Sequence, residues 1–110
     1  MSTPVLPTAV RNYFALIDDD AAQAIRAFSA DAQVTDDGHT HRGHDEILAW
    51  LTGPASQYET TSTQLSVDQD GPVTTVVVRL TGSFPGGQVD LRNTFTLGPD
   101  GLIDDLVISV

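Results

Sequence analysis

The residues best suited to chemistry are concentrated in one stretch, AQVTDDGHTHRGHDEI, at positions 32–47. Acids and histidines together can hold a metal ion, can transfer protons as a general acid or base, or can form an ordinary turn before a helix. His39 and His41 lie two residues apart and share a strand face, whereas His44 opens a helix. A His-x-His pair is a weak metal signature by itself. We therefore predict no metal site and no cofactor, and we place the histidines at the rim and in turns.

Periodicity singles out three polar residues that point inward. Asp36 continues the inward parity of a short strand, and Tyr13 lies on the apolar stripe of the first helix. Asn93 is the only polar residue on its strand face, whose apolar members are Val89, Leu91, Phe95 and Leu97. A buried polar group costs about 1–3 kcal/mol unless it finds a partner. The three residues are therefore either separate hydrogen-bonded groups or one polar cluster in an apolar pocket.

The elements that would position these residues change type halfway along the chain. Helical apolar spacing predicts helices at 8–17, 21–28 and 44–51. The acids at 18–20 end the first helix and cap the second. Alternation and Gly-containing turns predict strands at 32–36, 39–42, 57–69, 73–84, 88–97 and 102–110. Three helices followed by an antiparallel meander predict an α+β fold in which the helices cover one face of the sheet.

Composition restricts the class of protein. The chain has 110 residues, which fits a single domain spanning 1–110. A net charge of −10 argues against nucleic acid and against an anionic membrane surface as partners. There is no cysteine, and we find neither a signal peptide nor an apolar run long enough to span a bilayer. We predict a soluble cytoplasmic protein.

The order of elements and one pattern of residues resemble a known superfamily. The segment F-x-x-D-A-x-V-x-D, then a hairpin and R-G-x-x-x-I, is similar to the nuclear transport factor 2-like fold. The matching residues are Phe28, Asp31, Ala32, Val34, Asp36, Arg42, Gly43 and Ile47. Members include ketosteroid isomerases and SnoaL-like polyketide cyclases. The resemblance covers nearly the whole chain and implies a cone of three N-terminal helices packed on a curved, mostly antiparallel sheet.

Within that superfamily the chain most resembles ketosteroid isomerase. The resemblance implies that Asp36 is a general base that removes a proton alpha to a carbonyl, with Tyr13 and Asn93 as oxyanion donors. Asn93 stands where the isomerases carry a protonated aspartate, and an amide donates without needing a raised pKa. The implied ligand is a hydrophobic small molecule, steroid-like or polyketide-like. Its apolar walls would be Phe14, Trp50, Leu91 and Phe95.

Other interpretations stay open. In a SnoaL-like cyclase the acid would protonate during aldol closure, and a non-catalytic module would only bind a hydrophobic ligand or dimerise. The superfamily often dimerises through the outer sheet face, so a homodimer is expected in each case. Tyr13 could simply bond a backbone carbonyl, Asp36 could cap the following turn, and Asn93 could satisfy a strand group. Supporting tyrosines of some isomerases are replaced here by Phe28 and Leu51.

An epoxide hydrolase is less compatible with the sequence. In this fold that activity needs an inward Asp-Arg-Asp arrangement. Asp90 and Arg92 have the opposite strand parity to Asn93, so they are predicted to face away from the pocket.

Overall fold

The computed structural model describes residues 7–16, 20–36, 38–53, 60–83 and 86–110. Its helices are α1 (Thr8–Leu16), α2 (Ala21–Ala24) and α3 (Gly43–Thr52), and a 3₁₀ turn at Ile25–Ala27 follows α2. Its strands are β1 (Phe28–Asp36), β2 (His39–Arg42), β3 (Thr60–Asp70), β4 (Val73–Gly82), β5 (Gln88–Leu97) and β6 (Ile103–Ser109). The predicted order of elements and the α+β class are confirmed.

The six strands form one sheet in the order β2-β1-β6-β5-β4-β3. Strands β3 to β6 form the predicted antiparallel meander. The last strand returns beside β1 and runs parallel to it, and β2 then pairs with β1 as an antiparallel edge. This connection brings residues from the two ends of the chain together. Among the described residues, no helix is long and apolar enough to cross a membrane.

The second helix is shorter than its sequence pattern predicts. Asp20 caps it as expected, because its Oδ1 accepts a hydrogen bond from the Gln23 amide at 3.2 Å. However, α2 ends at Ala24, and Phe28 already has the extended dihedrals φ −99° and ψ 143°. Phe28 pairs with Ile103 at the start of β6, so sheet pairing overrides helical spacing here. Strand β1 consequently begins at residue 28 rather than 32, with irregular pairing between residues 28 and 33.

The third helix follows the prediction within one residue at each end. Gly43 has φ +78°, a left-handed conformation that lets the chain turn directly from β2 into α3. Glu46 accepts a hydrogen bond from the Arg42 amide at 3.1 Å and so satisfies a free backbone donor at the start of the helix. Some predicted positions lie outside the described residues: Ile17, Asp37, Pro54, the first residues of the third predicted strand and the last residue of the fourth.

One face of the sheet, called the inner face here, packs against the helices and carries the core. Its fully buried residues include Val34, Val76, Phe95 and Leu106. Tyr13 of α1 packs edge-on against Phe28 and Phe95, with ring centroids 5.7 and 5.5 Å apart. Edge-to-face pairs of this kind add about 0.5–1.5 kcal/mol beyond area burial. The aromatic cluster therefore fixes α1 over β1 and β5.

The opposite, outer face carries an acid that opposes folding at neutral pH. Asp105 lies between Gln33 and Thr96, and burial raises the pKa of its carboxyl above the usual value. At pH values between the usual and the raised pKa, the folded chain therefore binds more protons than the unfolded chain. Stability is therefore lost as pH rises through that window, and the loss persists at higher pH.

We expect Asp105→Asn to raise the free energy of unfolding at pH 7 by a small amount, up to about 0.5 kcal/mol. The gain should shrink as pH falls towards about 3.9, the usual carboxyl value. Urea unfolding at both pH values measures the effect, and Asp68→Asn, at an exposed acid, serves as the control. An unchanged or lower stability of Asp105→Asn at pH 7 contradicts the prediction.

Candidate active site

Strand register places two of the three predicted polar residues in one row across the inner face. Asp36 of β1 is paired with Ile108 of β6, and Ile108 is paired with Asn93 of β5. Paired residues point to the same side of a sheet. Neighbouring strands lie about 4.8 Å apart, so two strand spacings separate Asp36 from Asn93 by about 10 Å. Asp36 and Asn93 therefore face the same space, on either side of Ile108.

The third polar residue, Tyr13, approaches this row from the helical layer. Its ring contacts Phe95, which lies two residues beyond Asn93 on the same strand face. Tyr13 is 2% exposed and Asn93 is 5% exposed, whereas Asp36 is half-buried. The inward orientation predicted for all three is confirmed. The carboxylate is the most accessible of them.

The Asp36 carboxylate has a defined partner. Its Oδ2 accepts a hydrogen bond of 3.0 Å from the indole Nε1 of Trp50, a buried residue of α3. Trp50 lies on the inward side of the helix with Ile47 and Leu51, in the spacing that the sequence predicts. The predicted alternative, capping of the turn at residue 37, falls on a residue outside the described part of the chain.

The Asn93 amide is engaged with the sheet. Its Nδ2 donates to the backbone oxygens of Val76, at 3.2 Å, and Leu91, at 3.4 Å. Two carbonyl acceptors fix which end of the amide is nitrogen, because an amide oxygen there would face two other oxygens. These bonds use both N–H groups of the side chain. Donation to a ligand therefore requires the amide to rotate away from at least one carbonyl.

The residues predicted as apolar walls fall into two groups. Phe14 and Leu91 are half-buried and so keep surface available for contact. Phe95 is 0% exposed because the rings of Tyr13 and Phe14 cover it, at centroid distances of 5.5 and 5.6 Å. Trp50 is 3% exposed. Phe14 and Leu91 therefore present accessible apolar surface, and Phe95 would become accessible only if a covering ring moved.

His41 is a site residue whose position sequence reasoning missed. It pairs with Val34, and His39 pairs with Asp36, so both histidines lie on the inner face. The His41 ring is half-buried, with its centroid 6.1 Å from that of Trp50, whereas His39 is exposed at the rim as predicted. The Asp37-Gly38 pair was the available sequence signal, because Asp-Gly between two short strands predicts a two-residue hairpin loop and therefore this register.

His44 has a structural role in the described contacts. Its Nε2 lies 2.9 Å from the backbone oxygen of Phe28, so it donates in the tautomer that carries the proton on Nε2. This bond joins the start of α3 to the start of β1. Within the described ranges, no group of three or more His, Asp or Glu side chains is placed to hold a metal ion.

The charged residues of β5 lie on the outer face, as the sequence predicts. Asp90 and Arg92 are exposed, and Asp90 accepts two hydrogen bonds from Arg79, at 2.8 and 3.2 Å. These hydrogen bonds and the adjacent guanidinium charge of Arg79 lower the pKa of the Asp90 carboxyl. The inward Asp-Arg-Asp arrangement of an epoxide hydrolase therefore cannot include Asp90 or Arg92.

A separate groove of about 530 Å³ lies at the far end of β5, where α1, the 3₁₀ turn and the β5–β6 turn meet. It is lined by Asn12, Arg26, Leu97 and Leu102, among others, and by none of the three inward polar residues. Arg26 is exposed and donates to Gln23 on its own helical segment. The groove therefore does not belong to the candidate site.

Comparison with known proteins identifies the family. The profile of the SnoaL-like domain matches residues 10–105. No curated protein sequence matches the chain. Among solved structures, a proposed polyketide cyclase from Sinorhizobium meliloti is 32% identical, with a TM-score of 0.88. The alignment covers 94% of this chain and 95% of that protein.

Two more distant structures have the same fold. The Δ5-3-ketosteroid isomerase from a Mycobacterium species is 19% identical, with a TM-score of 0.78 over 96% of this chain and 94% of that one. Rv0760c from Mycobacterium tuberculosis, in complex with estradiol-17β-hemisuccinate, is 15% identical, with a TM-score of 0.77. That alignment covers 93% of this chain and 90% of Rv0760c. These two likenesses show the same cone-shaped fold, and the SnoaL-like domain match together with the S. meliloti structure confirms the predicted superfamily.

Proposed function

The chain belongs to the SnoaL-like domain family, and we propose that it is an enzyme that transfers a proton at the carbon next to a carbonyl of a hydrophobic small molecule. The carrying observation is the half-buried Asp36 carboxylate, held on one oxygen, in the same inner-face row as Asn93. A carboxylate between an apolar wall and solvent can accept a proton from carbon only if a donor stabilises the resulting enolate.

The proposed reaction has two proton transfers. The Asp36 carboxylate removes a proton alpha to the carbonyl, and the C–H electron pair forms a carbon–carbon double bond as the carbonyl oxygen becomes negative. The protonated Asp36 then returns the proton to the far carbon of the dienolate, and this step regenerates the carboxylate. The double bond moves into conjugation with the carbonyl. No cofactor is consumed, since the carbon skeleton is neither oxidised nor reduced.

Tyr13 and Asn93 are the proposed donors to the enolate oxygen. One oxyanion donor contributes roughly 2.7–4 kcal/mol in a preorganised site. The Asn93 amide starts from bonds to two strand carbonyls, so its donation costs part of that gain. Tyr13 is almost fully buried, so the ligand must displace its neighbours to reach the phenol. We therefore expect a slower enzyme than one whose donors are free before binding.

The proposed substrate is apolar and rigid. Phe14 and Leu91 offer half-buried apolar surface on the same side as Asp36. Two relatives of the same fold are a ketosteroid isomerase and a protein in complex with an estradiol derivative. A Δ5-3-ketosteroid is therefore the first substrate to test, with Trp50 and Phe95 as further proposed walls.

A second candidate function is polyketide cyclisation. The S. meliloti relative, at 32% identity, is itself a proposed polyketide cyclase. In that reaction the Asp36 carboxylate would take the proton from an alpha carbon of the polyketide to form an enolate. As the enolate carbon attacks a second carbonyl of the same polyketide, the protonated Asp36 would give this proton to that carbonyl oxygen. Both candidate reactions pass through an enolate next to the same carboxylate.

Two readouts test the proposal. The first is formation of the conjugated ketone from a Δ5-3-ketosteroid, followed by ultraviolet absorbance. The second is exchange of alpha protons for deuterium in D₂O, followed by mass spectrometry, with the steroid and a 1,3-dicarbonyl polyketide mimic as substrates. We expect both reactions to exceed the buffer rate. Tight ligand binding without exchange on either substrate would mean that the chain is a binding module.

We also propose a homodimer formed through the outer face of the sheet. Val107 lies near the centre of this face and is 37% exposed, between Thr35 and Thr94. Each chain carries a net charge of −10, so repulsion between copies should weaken association at low salt. Cytoplasmic location stays a prediction from the sequence.

We expect Val107→Glu to convert the dimer to a monomer, because it places a charge at the centre of the proposed interface. Analytical ultracentrifugation should give about twice 11.7 kDa for the wild type and about 11.7 kDa for the variant. Ala49→Glu adds the same charge at an exposed position of α3 and should leave the dimer intact. A wild-type chain that is monomeric at all salt concentrations contradicts the proposed interface.

A further inference from the structure

The hydrogen bond between Trp50 and Asp36 joins a buried donor to an accessible acceptor. The indole Nε1 lies 3.0 Å from Asp36 Oδ2, and Trp50 itself is 3% exposed. A buried indole N–H needs an acceptor, and here it has taken an ionisable carboxylate. A hydrogen bond to a charged acceptor is stronger than one between neutral groups.

This bond takes one acceptor position of Oδ2, so it distinguishes the two carboxylate oxygens. We propose that Trp50 is the positioning residue of Asp36: it fixes the carboxylate through Oδ2 and leaves Oδ1 as the atom that exchanges protons with substrate. The inference rests on the proposed function. Indole is a donor only and does not release its proton at ordinary pH, so it can orient the base without competing as an acid.

The β1–β2 hairpin places a second ring, that of His41, beside the Trp50 indole. The His41 ring is tilted by 32° against the indole, with a centroid distance of 6.1 Å, and β2 carries it on the same face as Asp36. His39, directly opposite Asp36, is the other titratable group on this face of β2. The indole of α3 thus lies beside the His41 ring of β2 while it donates to Asp36 of β1.

The kinetic test uses Trp50→Phe, which keeps an aromatic ring and deletes the donor. We expect kcat for alpha-proton exchange to fall about 10- to 100-fold, since a small displacement of a catalytic group can cost up to about 10²-fold. KM should change less, because the Phe ring keeps most of the apolar surface of the proposed wall. Ile47→Val is the matched control on the same buried side of α3. It should lower the melting temperature and leave kcat unchanged. An unchanged kcat in Trp50→Phe overturns the positioning role.

A second measurement is independent of turnover. Trp50 is the single tryptophan, so a ¹⁵N-labelled chain gives one indole N–H resonance. We expect that resonance to shift in Asp36→Asn at constant pH, because the substitution replaces the carboxylate acceptor of the indole N–H by a neutral amide oxygen. Asp31→Asn, at an exposed acid of the same strand, should leave the resonance in place. A resonance unaffected by Asp36→Asn overturns the bond.

The two measurements separate the two proposals. If the indole resonance follows Asp36 but the wild type exchanges no substrate proton, the proposed function fails and the described bond stands. If the wild type is active and Trp50→Phe retains full kcat, the proposed function stands and the positioning role fails. Loss of kcat in Trp50→Phe, together with an Asp36-dependent resonance, supports both.

Discussion

Asp36→Asn is expected to lower the rate of alpha-proton exchange and ketosteroid conversion by about 10²–10⁴-fold. An amide has nearly the size of a carboxylate but cannot accept a proton from carbon, so the substitution removes the base and little else. The Asn oxygen can still accept the Trp50 N–H bond, which should preserve the local fold. Initial rates with a Δ5-3-ketosteroid at saturating concentration measure kcat, and the melting temperature verifies folding.

The matched control is Asp31→Asn, which changes an exposed acid on the same strand. It alters the net charge by the same amount, so it separates loss of the base from a general electrostatic effect. The control should stay within about twofold of the wild type, because an exposed charge distant from the reacting atoms is screened by solvent and salt. An Asp36→Asn rate equal to that of Asp31→Asn would remove Asp36 from the mechanism.

Sequence periodicity predicted the face of the sheet to which each candidate side chain points, because side chains along a strand alternate between two faces. Asp36 and Asn93 could be placed inward from their apolar neighbours alone, and the sheet register then brings them into one row. The outward direction of Asp90 and Arg92 followed from the same rule. The face to which a strand residue points depends on local alternation of side chains, so it can be predicted from one sequence.

The sequence could not predict contacts that depend on how elements meet. Phe28 fits the helical spacing before it, yet its pairing with Ile103, which is distant in sequence, makes it a strand residue. The Trp50 N–H bond to Asp36 depends on the angle between α3 and β1. The two bonds of the Asn93 amide depend on the β4–β5 register and on a side-chain rotamer. These are tertiary effects that override local preference.

Phe95→Ala is expected to cost about 3–5 kcal/mol of the free energy of unfolding. Phe95 is fully buried and contacts the rings of Tyr13 and Phe14, so its removal deletes two aromatic pairs and leaves a cavity that a packed core fills only in part. Urea unfolding followed by the fluorescence of the single tryptophan gives the value. Typical domains have only about 5–15 kcal/mol in total, so the variant will be marginal.

Phe14→Ala is the matched control, because the same atoms are removed from a ring that is only half-buried. We expect a clearly smaller loss of stability, and a larger effect on KM, since Phe14 offers the surface that a ligand can reach. Equal losses for the two variants would mean that the aromatic cluster is not organised around Phe95.

A Phe95→Ala chain that stays folded also tests the role of Tyr13, because the Phe95 ring packs against the Tyr13 ring. With the support of Tyr13 gone, its kcat should fall if the phenol is an oxyanion donor and stay constant if Tyr13 is only a core residue.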